Sequence, residues 1–303
     1  MSKVIVVGSA NLDFTIAVER LPSVGETVLG GDLYQSFGGK GASQAVAARK
    51  AGAETAFLTM LGADEQGRRL EEHLASLGFP REGLLRSATR PSGVALILVE
   101  QSGRNLIAVA PGSNRLLSVE DVRRASSFIA QGDVLLVQLE VPLPAVQEAL
   151  TIAKAQGLLT ILNPAPAGPL PPELLELVDV LTPNEGEARA LSGQAEPEAA
   201  AGELLDRGAR SVVVTLGERG ALVREQDPPS SCLVPGYRVH AIDTTAAGDA
   251  FNGALACALA EGLPLREAVA FANAAGALAT TKRGAQESLP SREEINRLWK
   301  GIG

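Results

Sequence analysis

The sequence contains few residues that bind transition metals or act as strong nucleophiles. Its 303 residues include two cysteines, Cys232 and Cys257, and two histidines, His73 and His240. Their spacing forms none of the clusters typical of zinc sites, so a zinc enzyme or a Cys/His hydrolase is not expected. Because cysteine is so scarce, a reducing cytoplasm is the simplest location for the protein.

Basic charge and long apolar runs are also scarce. The formal net charge is −8 at pH 7, and nucleic-acid binders usually carry a basic face. No stretch approaches the ~18 uninterrupted apolar residues of a membrane helix. The apolar run at residues 4–8 is too short for a secretory signal and is typical of a buried strand. We therefore expect neither a nucleic-acid partner nor a membrane partner.

The residues that are abundant favour a globular α/β protein. Hydrophobic residues make up 46% of the chain but aromatic residues only 3%, so the core must be mostly aliphatic. Short β-branched runs alternate with Ala/Leu-rich stretches, which predicts a mostly parallel sheet covered by helices on both faces. Strands are predicted at 4–7, 55–61, 134–139, 159–163, 180–183 and 211–216. Helices are predicted at 44–51, 68–77, 144–156, 171–178, 185–191, 197–207, 248–261 and 265–280.

Two stretches lack an intervening helix and predict hairpins. One pairs residues 13–18 with 26–35, and the other pairs 94–99 with 106–109. The residues 102–105, Ser-Gly-Arg-Asn, have turn chemistry between the last two strands. We interpret the hairpins as a small sheet, with lid strands at roughly 13–35 and 94–110, inserted into a single domain that spans residues 1–303. Such a sheet is placed to act as a lid over a ligand.

The segment 243–249, Asp-Thr-Thr-Ala-Ala-Gly-Asp, leads into a predicted helix. Its small residues Ala246, Ala247 and Gly248 would let a phosphate approach the free N–H groups of the helix N-terminus. Asp249 would lie in the first turn, either as a catalytic carboxylate or as an acid that interacts favourably with the helix dipole.

Two further motifs offer groups for a polyhydroxylated ligand. The segment 36–43 is rich in glycine, but Gly41 follows Lys40 where a Walker A loop requires Ser or Thr. Asn11 and Asp13 follow the first strand, where α/β proteins bind ligands, and their oxygens suit vicinal hydroxyls. The alternatives are a plain turn for the first motif and an Asx turn for the second. The segments 182–187 and 215–220 also follow strands and are individually weak signals.

An ordered set of segments resembles the ribokinase-like (PfkB) family of sugar kinases, namely residues 8–13, 38–44, 138–140, 163–166, 182–187, 215–220 and 243–253. The resemblance extends from residue 6 to residue 288. It implies a three-layer α/β/α sandwich with a mostly parallel central sheet and a small β-sheet lid. It also implies ATP-dependent phosphorylation of a sugar, with O5 of D-ribose as the expected acceptor, and a homodimer formed through the lid sheets.

The resemblance also implies roles for individual residues. Asp249 would be the general base, beside an anion hole at Ala246, Ala247 and Gly248. Contacts to the sugar would come from Asn11, Asp13, Gly39, Lys40, Gly41, Ser43, Glu140 and Asp249. Contacts to ATP would come from Asn184, Thr215, Leu216, Gly217, Glu218, Arg219, Gly220, Gly248 and Asn273.

Two cations are implied by the same resemblance. Glu187 would help to place Mg²⁺ through water. An activating K⁺ would be bound by Asp243, Thr245, Ala279, Lys282, Gly284 and Ser288, several of them through backbone carbonyls.

One departure from the family pattern leaves the acceptor open. Ser43 stands where ribose kinases of this family commonly have Asn, and it offers one hydroxyl in place of an amide. Deoxyribose, a ketohexose or a nucleoside are therefore alternative acceptors. The low aromatic content disfavours a nucleoside, whose base often needs aromatic walls. A non-catalytic sugar-binding regulator is a further alternative, although such a protein would be expected to lose the base or the anion hole.

Overall fold

The computed structural model describes residues 2–100 and 104–301, and within them the chain forms two sheets. The strands are β1 Lys3–Val7, β2 Asn11–Val18, β3 Gly30–Gly38, β4 Glu54–Gly62, β5 Leu84–Ser87, β6 Gly93–Glu100, β7 Asn105–Ala110, β8 Val134–Gln138, β9 Leu159–Asn163, β10 Val180–Leu181, β11 Ser211–Thr215, β12 Ala221–Glu225 and β13 Ser230–Val234. The helices are α1 Lys40–Lys50, α2 Glu65–Ser76, α3 Val119–Arg124, α4 Ser126–Ile129, α5 Leu143–Ala155, α6 Pro172–Leu175, α7 Glu185–Ser192, α8 Pro197–Asp206, α9 Ala247–Ala260, α10 Leu265–Ala279 and α11 Arg292–Trp299.

The large sheet has the strand order β13-β12-β11-β10-β9-β8-β1-β4-β5. Seven strands of this sheet run parallel to one another, namely β1, β4, β5, β8, β9, β10 and β11. At one side of the sheet β12 pairs antiparallel with β11, and β13 pairs antiparallel with β12. Along β1 the side chains of Val4 and Val6 pack into one hydrophobic cluster and those of Ile5 and Val7 into another. The first cluster includes residues of α1, α9 and α10, and the second includes residues of α5 and α8. The predicted three-layer α/β/α architecture is confirmed.

The small sheet has the strand order β3-β2-β6-β7. The predicted pairings are present, since β2 pairs antiparallel with β3 and β6 pairs antiparallel with β7, and β2 also pairs parallel with β6. The bounds predicted for the second strand of the first hairpin were wrong, because β3 begins at Gly30 and residues 26–29 lie outside it. Glu26 instead accepts an ion-paired hydrogen bond from Arg20, and its N–H donates to Ser23 O in a turn. The predicted turn at residues 102–105 falls partly on 101–103, outside the described residues.

Several elements were not predicted from the sequence, including β5, β12, β13 and α11. For α11 a usable signal was present, because Ser291 and Glu294 form a capping box at its N-terminus. Within the part of the chain that the structure describes, no helix is long and apolar enough to cross a membrane.

Close packing of α1 against α9 places the glycine-rich segment beside Asp249. A Cβ atom at Gly253 would lie 2.5 Å from Ala47 Cβ and 2.6 Å from Gln44 O. A Cβ atom at Gly41 would lie 2.5 Å from Ser9 N. Since real Cβ atoms do not approach other atoms so closely, glycine at these two positions lets the backbones meet. The N-termini of α1 and α9 are thereby held at the same end of the sheet as the carboxyl end of β1.

Candidate active site

The residues with candidate functions gather where the parallel strands of the large sheet end. Asn11 follows β1, Glu140 follows β8, Asn163 ends β9 and Thr182 follows β10. The carboxyl ends of parallel strands are where open α/β sheets bind ligands. The N-termini of α1 and α9 point to the same region, so the site is formed mainly by strand ends and helix starts.

Asp249 is half-buried in the first turn of α9. Its Oδ1 accepts a hydrogen bond of 2.9 Å from Nε2 of Gln44. Burial raises the pKa of Asp249 to about 6, an effect that the positive charge of Lys40 and the hydrogen bond from Gln44 oppose and that Glu140 and Glu187 reinforce. A carboxylate with a pKa just below neutrality is ionised at pH 7 and basic enough to accept a proton, which is the requirement for a general base.

The start of α9 has the geometry of an anion site. Ala246, which precedes the helix, is the one residue other than glycine in the left-handed region among those described, with φ of 58°. The first N–H groups of an α-helix lack intrahelical partners and carry partial positive charge. A Cβ atom built on Gly248 would meet nothing within 4 Å, so open space lies directly in front of this turn. Ala246, Ala247 and Gly248 therefore occupy the position predicted for an anion hole.

The residues predicted to contact the sugar come together beside Asp249. Oε2 of Glu140 accepts hydrogen bonds from the backbone N–H of Lys40, at 2.9 Å, and from the Ser9 hydroxyl. Oδ1 of Asn11 accepts a hydrogen bond of 2.8 Å from Nδ2 of Asn114. Gly39, with φ of 85°, turns the chain from β3 into α1, and Gly41 and Ser43 are buried in the first turns of α1. Ser9 lies in the same motif as Asn11 but was assigned no contact, and Asn114 was not predicted because 103 residues separate it from Asn11 in the sequence.

Asp13 is a second carboxylate with an unusual environment in this group. Burial raises its pKa to about 7, and the negative charges of Glu140, Glu287 and Asp249 add to the effect. Its Oδ1 is buried and has no hydrogen-bond partner among the described residues. A buried acceptor without a hydrogen bond is energetically unfavourable, so Oδ1 of Asp13 is suited to accept a hydrogen bond from a ligand hydroxyl.

Lys40 supplies the positive charge of the site. Burial by itself would lower the pKa of its ammonium group, but the carboxylates of Asp249, Glu140 and Glu187 outweigh burial and raise it. Lys40 therefore stays protonated and partly offsets the repulsion among these carboxylates.

A cavity of about 900 Å³ adjoins the start of α9. This volume lies in the range of small-molecule and cofactor sites. Seven of the residues predicted to contact ATP line it, namely Thr215, Gly217, Glu218, Arg219, Gly220, Gly248 and Asn273. Leu216 instead packs into the core, and Asn184 forms a parallel β-bridge with Thr215. The cavity is also lined by residues that were not predicted, including Tyr237, Arg238, Thr244, Phe251, Gly276 and Ala277.

Comparisons with known proteins agree with this arrangement. Residues 1–292 match the pfkB family of carbohydrate kinases. The chain belongs to this family. It is 42% identical over 294 residues to a ribokinase of Haemophilus influenzae, with 95% of each chain covered. This pfkB-family kinase is also similar to the crystal structure of a Thermotoga maritima ribokinase, with 37% identity, a TM-score of 0.91 and 99% and 100% of the two chains covered.

A third relative was solved with ligands. The structure of an Arabidopsis thaliana ribokinase complexed with ribose and ATP shares 31% identity with this kinase, with a TM-score of 0.90 and 99% of each chain covered. The chain is thus a sugar kinase with the ribokinase-like fold.

Glu187, which is predicted to help place Mg²⁺ through water, is half-buried at the start of α7. Its Oε2 accepts the Asn184 N–H at 2.9 Å, and its own N–H donates to Asn184 Oδ1 at 2.8 Å, which forms a capping box. In residues 2–100 and 104–301 no group of three or more His, Cys, Asp or Glu side chains could hold a metal ion. Mg²⁺ commonly keeps several waters and is bound by few carboxylates together with substrate phosphates, so a single acidic residue fits.

Three of the residues predicted to bind K⁺, namely Asp243, Thr245 and Gly284, are joined by hydrogen bonds beside the segment that leads into α9. Asp243 accepts hydrogen bonds from the N–H groups of Thr245, at 2.9 Å, and Gly284, at 3.0 Å. Although burial opposes ionisation, these hydrogen bonds and the charge of Arg283 hold the pKa of Asp243 below its usual value. Ala279 ends α10, whose C-terminal carbonyls carry partial negative charge, and the Ser288 hydroxyl donates to Ala285 O.

The side chain of Lys282 is engaged elsewhere, because its ammonium group forms an ion pair of 2.8 Å with Glu294. Any ligand that Lys282 offers to the predicted K⁺ site would therefore be its backbone carbonyl oxygen, a type of ligand that suits a hard cation.

The two raised pKa values predict how the activity of this kinase depends on pH. Asp249 must be ionised to accept a proton, and protonated Asp13 loses an acceptor for the ligand. We expect kcat/KM to fall as the pH decreases through the range of about 7 to about 6, in which both carboxylates gain protons. The measurement is a pH–rate profile from pH 5 to 9 in buffers of constant ionic strength.

The Asp13→Asn variant separates the two groups. Its acid limb should lie closer to pH 6, because only Asp249 still titrates in that range. A wild-type profile that is flat down to pH 5 would contradict the assignment of both carboxylates.

Proposed function

We propose that the protein transfers the γ-phosphoryl group of ATP to O5 of D-ribose, which yields ribose 5-phosphate and ADP. The observation that carries the proposal is the position of Asp249, which directly follows the open space at Gly248 and whose carboxylate is close enough to Asp13 and Glu140 for their charges to interact. Two relatives named ribokinase, at 42% and 37% identity over nearly the whole chain, support ribose as the acceptor. The relative solved with ribose and ATP supports the same pair of ligands.

The chemistry begins with the sugar hydroxyl. Asp249 accepts the hydroxyl proton as the oxygen attacks the γ-phosphorus, a new P–O bond forms, and the bond to the leaving ADP breaks. In phosphoryl transfer the protein mainly positions the reactants and stabilises charge. The N–H groups and the dipole at the start of α9 interact with the phosphoryl oxygens.

The sugar would bind through the polar groups at the ends of β1 and β8. Asn11, Asp13 and Glu140 offer oxygens to its hydroxyls, while Gly39, Lys40, Gly41 and Ser43 border it from the α1 side. Most of these groups are fixed by hydrogen bonds or buried in secondary structure before a ligand arrives. A site fixed in this way loses little conformational entropy when it binds its ligand.

Two cations complete the proposal. Glu187 would hold Mg²⁺ through water, and the ion would neutralise charge on the ATP phosphates when bound. Asp243, Thr245, Ala279, Lys282, Gly284 and Ser288 would hold K⁺, which would add positive potential beneath the start of α9. The hydrogen bonds of Asp243 to Thr245 and Gly284 support this site, since they gather the oxygens before the ion binds.

We further propose that the protein is a homodimer formed through the small sheet. The sheet carries five apolar side chains that are between 49% and 58% exposed, which are Leu33, Leu96, Leu106, Ile107 and Val109. The strand register puts Leu33, Leu96 and Leu106 on one face of this sheet and Ile107 and Val109 on the other. Exposed apolar side chains grouped as on the first face are typical of an interaction surface. The proposal also treats residues 1–303 as one kinase domain, which the family match over residues 1–292 supports. A cytoplasmic location is part of the proposal as well.

Another acceptor on the same scaffold is the alternative function. Ser43 is buried near the sugar residues and is shorter than the Asn common in ribose kinases of the family. Deoxyribose, a ketohexose or a nucleoside would each use the same base and the same ATP cavity. A non-catalytic regulator is disfavoured because Asp249 and the anion site are both present.

The choice of acceptor is tested by ADP release measured across ribose, deoxyribose, fructose, tagatose and nucleosides. We expect the highest kcat/KM for ribose. A higher value for any other acceptor would reassign the substrate and leave the kinase assignment in place.

The role of Asp249 is tested by Asp249→Asn. This change keeps the size of the side chain and removes the base, so turnover should fall at least ~100-fold. The affinity for ribose, measured by calorimetry, should stay close to that of the wild type. Turnover near the wild-type value would remove Asp249 from the role of base.

The K⁺ site is tested by exchanging the monovalent cation. Activity in potassium chloride should exceed activity in sodium chloride or choline chloride at equal ionic strength, because the smaller Na⁺ fits a cluster of backbone carbonyls differently and choline cannot enter it. Equal rates in all three salts would count against the site.

The dimer is tested by light scattering at micromolar concentration. The wild type should have the mass of two chains, and Leu96→Glu, which puts a charge on the face shared with Leu33 and Leu106, should shift it to one. Leu233→Glu is the matched control, because Leu233 is 56% exposed on β13 of the large sheet and should not affect assembly. A monomeric wild type would contradict the proposal.

A further inference from the structure

A closed ring of buried polar groups lies beneath Asp249, and no functional role was assigned above to its other side chains, Gln44, Asn163, Thr182 and Asn252. Gln44, in α1, is fully buried, and its Nε2 donates to Oδ1 of Asp249 at 2.9 Å and to Oδ1 of Asn163 at 3.0 Å. Nδ2 of Asn163 donates to the carbonyl oxygen of Thr182 at 3.0 Å. The ring connects the ends of β9 and β10 to the base.

The ring closes on the helix that carries the base. The hydroxyl of Thr182 donates to Oδ1 of Asn252 at 2.6 Å, and Nδ2 of Asn252 donates to the carbonyl oxygen of Gly248 at 2.8 Å. Gly248 precedes Asp249 in the chain. Both the carboxylate and the backbone of the base are therefore fixed by the same set of amides and hydroxyls.

The direction of each hydrogen bond follows from the partners. Carbonyl oxygens can only accept, so Thr182 O requires Asn163 to present its NH₂ group there and its Oδ1 to Gln44. Gln44 must then present its own NH₂ group to Asn163, and the second hydrogen of that group is directed at Asp249. The amide of Gln44 cannot reverse without placing its oxygen against two acceptors.

This orientation leaves Oε1 of Gln44 buried with no hydrogen-bond partner among the described residues. Buried acceptors are nearly always satisfied in folded proteins, and those that are not call for an explanation. A hydrophobic residue of similar length would fill the same space with no unpartnered acceptor. The retained amide is therefore explained by what its nitrogen does for Asp249.

We propose that Gln44 is a positioning residue for the base, which holds Oδ1 of Asp249 so that Oδ2 is left to accept the proton of the sugar hydroxyl. The inference rests on the proposed function, in which Asp249 is the general base. Asn163 acts one step further away, by orienting the amide of Gln44.

Gln44 also favours the ionised form of the base. Besides Gln44, the groups that act on Asp249 are Lys40, which favours ionisation, and Glu140 and Glu187, which oppose it, while burial opposes it most strongly. Lys40 is also in the predicted sugar site, whereas Gln44 is enclosed in the core. Removing the N–H of Gln44 should therefore change the ionisation of Asp249 without removing a predicted contact to the sugar.

The experiment is a pH–rate profile of the Gln44→Met variant, measured at saturating ATP. Met has a similar length and no donor, so the acid limb of kcat should move to higher pH by about one unit, the shift that corresponds to one hydrogen bond to a charged group. At pH values above the acid limb, the fold-decrease in kcat should be larger than the fold-change in KM for ribose. A change in packing alone would lower stability and leave the acid limb where it is.

The matched control is Gln138→Met. Gln138 is also fully buried, it ends β8, and neither polar atom of its side chain has a partner among the described residues. The same substitution there should leave the acid limb in its wild-type position. An equal shift in both variants, or none in Gln44→Met, would overturn the proposal.

Asn163→Ala keeps the test decisive if Gln44→Met does not fold. It leaves Gln44 in place and removes the acceptor that orients its amide, so the acid limb should move in the same direction by less. The double variant should be no worse than Gln44→Met alone, since both changes act through one hydrogen bond. Additive losses of kcat, or an unshifted limb in Asn163→Ala, would contradict the proposed chain of contacts.

Failure of this inference is distinguishable from failure of the proposed function. If Asp249→Asn is inactive and the acid limb of Gln44→Met is unmoved, only the role of Gln44 is lost. If Asp249→Asn keeps its turnover, the proposed mechanism itself is wrong.

Discussion

The site depends on the direct approach of two helix backbones. Gly253 of α9 lies where any side chain would collide with α1, and Gly41 of α1 lies where any side chain would collide with the residues after β1. These contacts place the start of one helix, which carries the base, against the start of another, which borders the sugar residues. At the other end of the two helices, Arg292 forms an ion pair with Glu261 after α9 and donates a hydrogen bond to Ala51 O after α1.

Within this frame the electrostatics are those of a negatively charged pocket with one fixed cation. Asp13, Glu140, Glu187 and Asp249 lie close enough to affect one another, and Lys40 interacts with three of them. Burial and mutual repulsion raise the pKa of Asp13 and of Asp249, whereas hydrogen bonds from the backbone hold that of Asp243 down. Carboxylates in one region thus have different proton affinities because their surroundings differ, and different roles follow from this.

Much of the fold could be predicted from local patterns. The buried strands β1, β8, β9 and β11 are short β-branched runs, and the amphipathic or Ala-rich helices between them are equally visible in the sequence. The order of strands in the sheet and the parallel pairing of β2 with β6 could not be predicted, because they depend on contacts between distant segments. The edge strands β5 and β13 were missed because half-exposed strands carry a weaker apolar signal.

The residues of the site likewise divide into those that local sequence patterns predict and those that depend on contacts between distant segments. Asp249, Asp13 and the glycine-rich segment stand out because each combines several chemically suited residues within a few positions. Asn114, Asn163 and Gln44 do not, since each is an ordinary amide whose partner is more than 100 residues away. Leu216 and Asn184 were predicted to contact ATP but do not line the cavity. A sequence motif identifies a loop and does not indicate which of its side chains turn toward the cavity.

The short connection from β1 to β2 couples the position of the small sheet to the sugar pocket. Asn11 and Asp13 belong to β2, and β2 follows β1 after only three residues. The small sheet is therefore tethered to the core at the sugar pocket itself, and any tilt of the sheet carries those two side chains with it. Occupancy of the pocket and the tilt of the sheet are thermodynamically linked, so a bound acceptor biases the sheet toward one orientation, and a sheet held in that orientation binds the acceptor more tightly.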